Sequence, residues 1–136
     1  ADDRGYVLAD YSGKYSPQEW AAKALSAYDH YRAIKIIVEN NQGGDLVSTL
    51  LHALNPKVSI HTVRAIHSKN IRAQPIAFLY QQKKIFHAPH LNSLENQLVG
   101  FGHHQKSPDR VDALVWALTY LFYDKKSPLS PKIWSC

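Results

Sequence analysis

Residues 34–45 read Ile-Lys-Ile-Ile-Val-Glu-Asn-Asn-Gln-Gly-Gly-Asp, an apolar run followed at once by a polar, glycine-rich turn. A short run of isoleucine and valine bounded by turn residues is typical of a buried strand in a parallel sheet. Glu39 therefore stands where a buried strand ends. An acid in this position is hard to explain as a helix cap, and a structural one would need a salt-bridge partner. The stretch predicts an α/β fold that presents a carboxylate at a strand end.

A second group of acids opens a helix near the carboxyl end of the chain. Residues 108–118 read Pro-Asp-Arg-Val-Asp-Ala-Leu-Val-Trp-Ala-Leu, and Asp109 and Asp112 fall on one face of the first turn. Considered alone, the pair is more simply explained by capping at Asp109 and solvent exposure at Asp112. Together with Glu39, however, the two acids offer the oxygen ligands that Mg²⁺ or Mn²⁺ prefers. We therefore expect a divalent metal site made by Glu39, Asp109 and Asp112.

Length and composition limit the other possibilities. A chain of 136 residues that is 45% hydrophobic can bury one core, so we expect a single α/β domain. The formal charge of +5 and the pI near 9.3 favour a polyanionic partner such as nucleic acid. No segment is apolar for the length of a membrane span, and the lone Cys136 fits a reducing cytoplasm. The start at Ala1, without methionine, predicts a processed product or a fragment.

Strands and helices are predicted to alternate, without repeats. Ser16 and Glu19 form the pattern of a capping box, and the aromatic residues of the helix that follows are expected to pack in the core. The predicted elements are a strand at 5–10, a helix from 17 to about 31, the strand ending at 39, a helix at 46–54, a strand at 58–65, a basic loop at 68–75 entering a helix that reaches 81, a strand at 84–87, and helices at 91–101 and from 108 to about 123.

Further polar residues are open to two interpretations. Asp10 ends the first strand, but the following Ser12-Gly13 also suits an ordinary turn in which Asp10 accepts backbone hydrogen bonds. Lys69 and Arg72 of the basic loop are candidates for phosphate contacts, with Gln42 as a polar helper, although charge on a solvated loop is common. The histidines lack the cysteine company of a typical zinc site.

Five stretches in one order carry a family resemblance: YVLADYSGKYSPQEW, VENNQGGDLV, KNIRAQPIAFLY, LENQLVGF and PDRVDALVWAL. They resemble the C-terminal nuclease domain of the large terminase subunit of tailed phages, prophages and gene transfer agents. The resemblance implies an RNase H-like, RuvC-type fold with a mixed sheet flanked by helices. It also implies an incomplete nuclease domain over residues 1–124. Independently of the resemblance, Pro128 and Pro131 predict an extended or frayed tail over 125–136.

By this resemblance the chain would cut concatemeric DNA during genome packaging, in the cytoplasm of a bacterial host. Two Mg²⁺ or Mn²⁺ ions, about 3.5–4 Å apart, would be held by acids from three places. Glu39 corresponds to the second place, and Asp109 with Asp112 to the third. The implied partners are double-stranded DNA, the terminase ATPase domain, the small terminase and the portal, and the expected DNA contacts are Lys69, Arg72, Arg110 and Gln42.

The chain departs from the family at the first place. The opening strand with its own catalytic Asp is missing, as is the motor domain, since no phosphate-cradling Gly-Lys-Ser/Thr loop occurs. One hypothesis is that the Tyr6–Asp10 segment takes the vacated central position and brings Asp10 beside Glu39. The alternatives left open are a catalytically inactive remnant that binds DNA or a packaging partner, and a junction nuclease of the resolvase type.

Overall fold

The computed structural model describes residues 3–40, 46–100, 109–124 and 133–135. Strands and helices alternate along most of this length, as the sequence predicts. The strands are β1 (Gly5–Val7), β2 (Lys35–Glu39), β3 (Ile60–Val63), β4 (Ile85–His87) and β5 (Ile133–Ser135), and the helices are α1 (Pro17–His30), α2 (Leu46–Leu54), α3 (Lys69–Gln81), α4 (Asn92–Gly100) and α5 (Asp109–Thr119), the last followed by a π-helical turn at Tyr120–Asp124. Among the residues so described, no helix is long and apolar enough to cross a membrane.

The chain divides into two compact units. Residues 1–12 and 67–130 form one, and residues 13–66 and 131–136 form the other. We call them the α5 unit and the β2 unit, after the element at the centre of each.

In the β2 unit, strand β2 lies between β3 and β5 and pairs with both in parallel. Ile36 and Ile37 are fully buried, so the prediction of a buried strand that ends at Glu39 is confirmed. Glu39 is opposite Val63 in the register with β3.

The tail predicted to be extended or frayed contributes the strand β5, which pairs with β2, so the chain is not frayed at 133–135.

Helix α1 packs beside this sheet in the β2 unit. Its predicted capping box is present: the Ser16 hydroxyl accepts from the Glu19 amide at 3.2 Å, and Glu19 Oε1 accepts from the Ser16 amide at 3.3 Å. Alanines line the buried side of the helix, which permits a close approach to its neighbours, and the larger aromatic residues flank them. The core of the unit is formed by Ala21, Ala24, Ile36, Val38, Leu51 and Val58, with Trp20 and Tyr28 packed against it.

In the α5 unit, β1 pairs with β4 in parallel, with Gly5 opposite Ile85. A Cβ atom at Gly5 would lie 3.1 Å from the Ile85 and Phe122 side chains, so the close packing of β1 favours glycine. Helix α5 is the central core helix that its apolar pattern predicts. The core of the unit is formed by Ala73, Ile76, Leu79, Ile85, Leu91, Leu94, Val111, Leu114, Val115 and Leu118.

Two expectations about local structure were wrong. Residues 69–75 are not a loop but the first turns of α3, which begins after the N-cap Ser68 and continues through Pro75. The cap and the burial of Ala73 and Ile76 outweigh the helix-breaking tendency of the proline. Strand β1 does not take the central position beside β2, because β3 and β5 occupy both edges of β2, and β1 pairs with β4 instead. The strand pairs among the described residues are parallel.

Candidate functional site

Asp112 is a buried carboxylate in the first turn of α5, with 6% of its surface exposed. Its Oδ1 atom accepts a hydrogen bond from Arg72 Nη2 at 2.6 Å, and its Oδ2 atom lies 3.8 Å from Lys69 Nζ. A buried charge requires such partners, because desolvation would otherwise cost several kcal/mol. The alternative that Asp112 is a solvated first-turn acid is therefore wrong.

Arg72 is fixed on several sides within the α5 unit. Besides its bond to Asp112, Nη1 donates to the carbonyl oxygen of His67 at 2.7 Å. The guanidinium carbon lies 4.7 Å from the ring centroid of Trp116, a cation–π distance. Trp116 follows Asp112 by four residues, so both side chains lie on the same face of α5. Arg72, predicted as a DNA contact, serves in this structure as the counterion of a buried acid.

Lys69 is the more accessible cation of the cluster. It precedes Arg72 by three residues on α3, which places both side chains on one face of that helix. Its side chain is 37% exposed, compared with 11% for Arg72. Lys69 therefore combines proximity to Asp112 with access to a ligand in solvent.

Asp10 and Arg110 form a second ion pair in the same unit. Asp10 Oδ1 accepts hydrogen bonds from the backbone amide, at 2.9 Å, and the hydroxyl of Ser12. Its Oδ2 atom lies 3.0 Å from Arg110 Nε. The turn interpretation of Asp10 is thus confirmed, and Arg110 links this turn to the first turn of α5.

Glu39 ends β2 with a partly buried side chain. Its carboxylate makes no ion pair with the residues that the structure describes, so the partner that a structural glutamate would need is absent from that part of the chain. The next residue, Asn40, continues the ladder by donating its amide to Val63 O at 2.7 Å. Its Oδ1 atom is buried and has no hydrogen-bond partner there. Among the described residues, the end of β2 therefore presents a carboxylate without an ion pair and an amide oxygen without a hydrogen-bond donor.

The remaining predicted site residues fall outside the description. Asp109 is the first residue of α5, but its side chain is not described, and neither is Gln42. Among the described residues, no group of three or more His, Cys, Asp or Glu side chains is arranged to hold a metal ion. Asp112 belongs to the α5 unit and Glu39 to the β2 unit. That Glu39, Asp109 and Asp112 share metal ions stays a prediction.

A further polar cluster links Tyr80 of α3 to His87 of β4 and was not predicted. The Tyr80 hydroxyl and His87 Nε2 share a hydrogen bond of 2.7 Å. Burial raises the pKa of Tyr80 above its ordinary value, and the charge of Glu95 raises it further. Burial lowers the pKa of His87, with Glu95 acting in the opposite direction. Many histidines occur in the sequence, and the strand position of His87 alone did not single it out.

Comparison with known protein families gives a match over most of the chain. The model of the family described as the terminase RNaseH-like domain matches residues 1–121. No curated protein and no solved structure matches the chain. The matched range includes β1 to α5 and all the acids discussed above.

Proposed function

The chain belongs to the terminase RNaseH-like domain family, and we propose that it is a DNA endonuclease that depends on Mg²⁺ or Mn²⁺. The match agrees with a C-terminal nuclease domain of a terminase large subunit. The observation that carries the proposal is the buried carboxylate of Asp112 at the start of α5. Among the described residues, its ion-pair partners are Arg72 and Lys69.

The chemistry of the acids fits a hard cation. Glu39, Asp109 and Asp112 are oxygen donors, which suit Mg²⁺ and Mn²⁺ better than softer metals. Asp112 is already placed where a negative charge needs a positive partner, and Arg72 and Lys69 supply that charge in this structure. When bound, the divalent ions would activate a water molecule and stabilise the leaving oxygen of a phosphodiester.

The substrate we propose is double-stranded DNA. The net charge of +5 attracts a polyanion, and Lys69 is a partly exposed cation 3.8 Å from Asp112. Arg110, Arg72 and Gln42 are further proposed contacts, and Lys69, Arg72 and Arg110 are each paired with an acid in this structure. By family, the proposed setting is the cutting of concatemeric DNA during packaging in the bacterial host, with the terminase ATPase domain, the small terminase and the portal as partners.

A DNA-binding domain without nuclease activity is the second candidate. It is favoured by one observation: both oxygens of Asp112 face basic side chains, Arg72 at 2.6 Å and Lys69 at 3.8 Å. In that case the basic residues would serve DNA binding and structure, and the acids would hold no metal.

Nicking of supercoiled plasmid in MnCl₂ separates the two candidates. We expect the wild-type chain to nick the plasmid and Glu39→Gln or Asp112→Asn to reduce the rate by about 100-fold or more, since even outer partners of metal ligands contribute 10–100-fold. The matched controls are Asp29→Asn and Asp124→Asn, which alter exposed acids in the β2 and α5 units. Binding of the plasmid without nicking by the wild type would instead support the second candidate.

Cleavage of a four-way junction, measured beside the plasmid, tests the resolvase-type alternative. If the chain cleaves duplex DNA and the duplex arms of the junction at equal rates, the result supports a packaging nuclease. A strong preference for the junction would assign the site to that other substrate.

A further inference from the structure

The outward face of the β1–β4 sheet carries a stacked pair of exposed aromatic rings. Tyr6 and Phe86 are directly opposite in the parallel register, and their ring centroids are 5.5 Å apart with an interplanar angle of 23°. Tyr6 is 55% exposed and Phe86 is 40% exposed. Their strand neighbours Gly5 and Ile85 are buried, as the alternation of a strand requires. We call this pair the Tyr6–Phe86 platform.

Basic residues border the platform at one end. Because β1 and β4 are parallel, the residues that precede the two strands lie at the same edge of the sheet. The guanidinium carbon of Arg4 lies 5.8 Å from the Phe86 ring centroid. Lys84, which precedes β4, is ion-paired with Asp3 at 3.2 Å, and the neighbouring Lys83 is exposed.

Sheet stability explains only part of this arrangement. A cross-strand aromatic pair stabilises a sheet by roughly 0.2–1 kcal/mol, which accounts for the contact between the two rings. It does not account for the large exposed fraction of both rings or for the cations at their edge. Accessible aromatic faces beside positive charge are the features with which proteins bind unpaired nucleotides, since bases stack on the rings and phosphates meet the cations.

We propose that the Tyr6–Phe86 platform binds unpaired bases of single-stranded DNA, with Arg4 and Lys83 beside the phosphates. A base stacks on the exposed aromatic surface, and the sugar–phosphate chain follows the basic edge of the sheet. Recognition is tolerant of sequence, because every base has a face that can stack. The site goes beyond the proposed duplex nuclease and uses none of its acids.

Fluorescence anisotropy with a fluorescein-labelled dT₁₂ oligonucleotide in EDTA tests the platform. We expect Tyr6→Val and Phe86→Val each to weaken binding by about 5- to 100-fold, the range expected from loss of one stacked base. Valine keeps the strand propensity of both positions while removing the ring. Phe78→Leu, which removes an exposed aromatic ring from α3, is the matched control and should bind as the wild type does.

Comparison of dT₁₂ with duplex DNA shows whether the platform is specific for unpaired bases. Loss of dT₁₂ binding with little change for a 12-base-pair duplex supports the platform, whereas equal loss for both probes overturns it. Binding of dT₁₂ that is unchanged in a folded Tyr6→Val/Phe86→Val chain also overturns it and leaves a protein partner as the occupant of this face. Because binding is measured in EDTA, where no metal-dependent cleavage occurs, failure of the nuclease proposal is seen separately in the plasmid assay.

Photocrosslinking of the wild type avoids any dependence on the folding of variants. A dT₁₂ probe with 5-iodouracil should crosslink to a peptide that contains Tyr6 or Phe86, identified by mass spectrometry. Crosslinks confined to other peptides would contradict the proposal.

Discussion

At the scale of single residues, the contact between Arg72 and Asp112 organises the candidate site. From the sequence, Arg72 was predicted to contact DNA and Asp112 to bind a metal ion. Nothing in the spacing shows that residues 40 positions apart form a bond of 2.6 Å. Trp116, whose ring centroid lies 4.7 Å from the Arg72 guanidinium carbon, was not singled out in the sequence.

Removal of Arg72 should destabilise the α5 unit. We expect Arg72→Ala to lower the free energy of unfolding by about 3–5 kcal/mol, because a buried carboxylate then loses its main partner. Asp112→Asn in the same chain should recover part of that loss, since no buried charge remains. Urea denaturation followed by circular dichroism measures both effects.

The control for this prediction is Arg64→Ala, which removes an exposed arginine. It should change the free energy of unfolding by about 0.5 kcal/mol or less. If Arg72→Ala behaves like the control, the ion pair does not stabilise the fold and our interpretation of Asp112 is wrong.

Protonation of His87 should weaken the fold in mild acid. Burial depresses the pKa of His87 in the folded state, so the neutral imidazole is the form that the fold favours. Its contribution is present above the unfolded-state pKa of about 6.5 and is lost as the pH falls through the lower folded-state value. We expect the wild type to lose more stability between pH 7.5 and pH 5.5 than His87→Gln does.

Thermal melts at the two pH values provide the measurement. His52→Gln, at an exposed position of α2, serves as the control and should keep the pH dependence of the wild type. Identical pH dependence in the wild type and His87→Gln would show that the Tyr80–His87 contact does not control acid stability.

At the scale of elements, helices and strands were predicted correctly where neighbouring residues determine them. The capping box of α1 and the buried strand that Glu39 ends were predictable because neighbouring residues determine them. Helix α3 was misjudged at its start, because Pro75 is a local signal while the burial of Ala73 and Ile76 is tertiary. The pairing of β5 with β2 joins distant segments and leaves no local pattern.

Replacement of Pro75 should stabilise α3. Pro75 lies inside the helix and has no amide hydrogen to donate to the turn before it. We expect Pro75→Ala to raise the free energy of unfolding by about 1–3 kcal/mol. Pro17→Ala is the control, because a proline at the first position of α1 breaks no helical hydrogen bond. A loss of stability in Pro75→Ala would mean that the proline favours the observed backbone.

At the scale of the whole molecule, the sequence indicated the family correctly but did not indicate the two-unit organisation. One core was expected from length, and two compact units are found, each with its own apolar cluster. Of the predicted metal ligands, Glu39 lies in the β2 unit and Asp112 in the α5 unit. That these acids share metal ions stays a prediction, because no local pattern in the sequence encodes contacts between residues so far apart in the chain.

Binding to duplex DNA should depend steeply on salt, as expected for a chain of charge +5. Lys69→Gln should weaken binding for all duplex sequences alike and reduce the slope of log Kobs against log salt concentration by about 1. Lys57→Gln, at an exposed lysine of the β2 unit, is the control for loss of charge alone. Electrophoretic shifts at several salt concentrations check the prediction, and an unchanged slope in Lys69→Gln would remove Lys69 from the DNA contacts.

The most direct test of the metal-dependent nuclease is isothermal titration of the intact chain with MnCl₂ in the absence of DNA. We expect the wild type to bind Mn²⁺ and Glu39→Gln, Asp109→Asn and Asp112→Asn each to bind at least about tenfold more weakly, because each removes an oxygen ligand. A wild-type chain that binds no Mn²⁺, or variants that bind it as tightly as the wild type, would contradict the account.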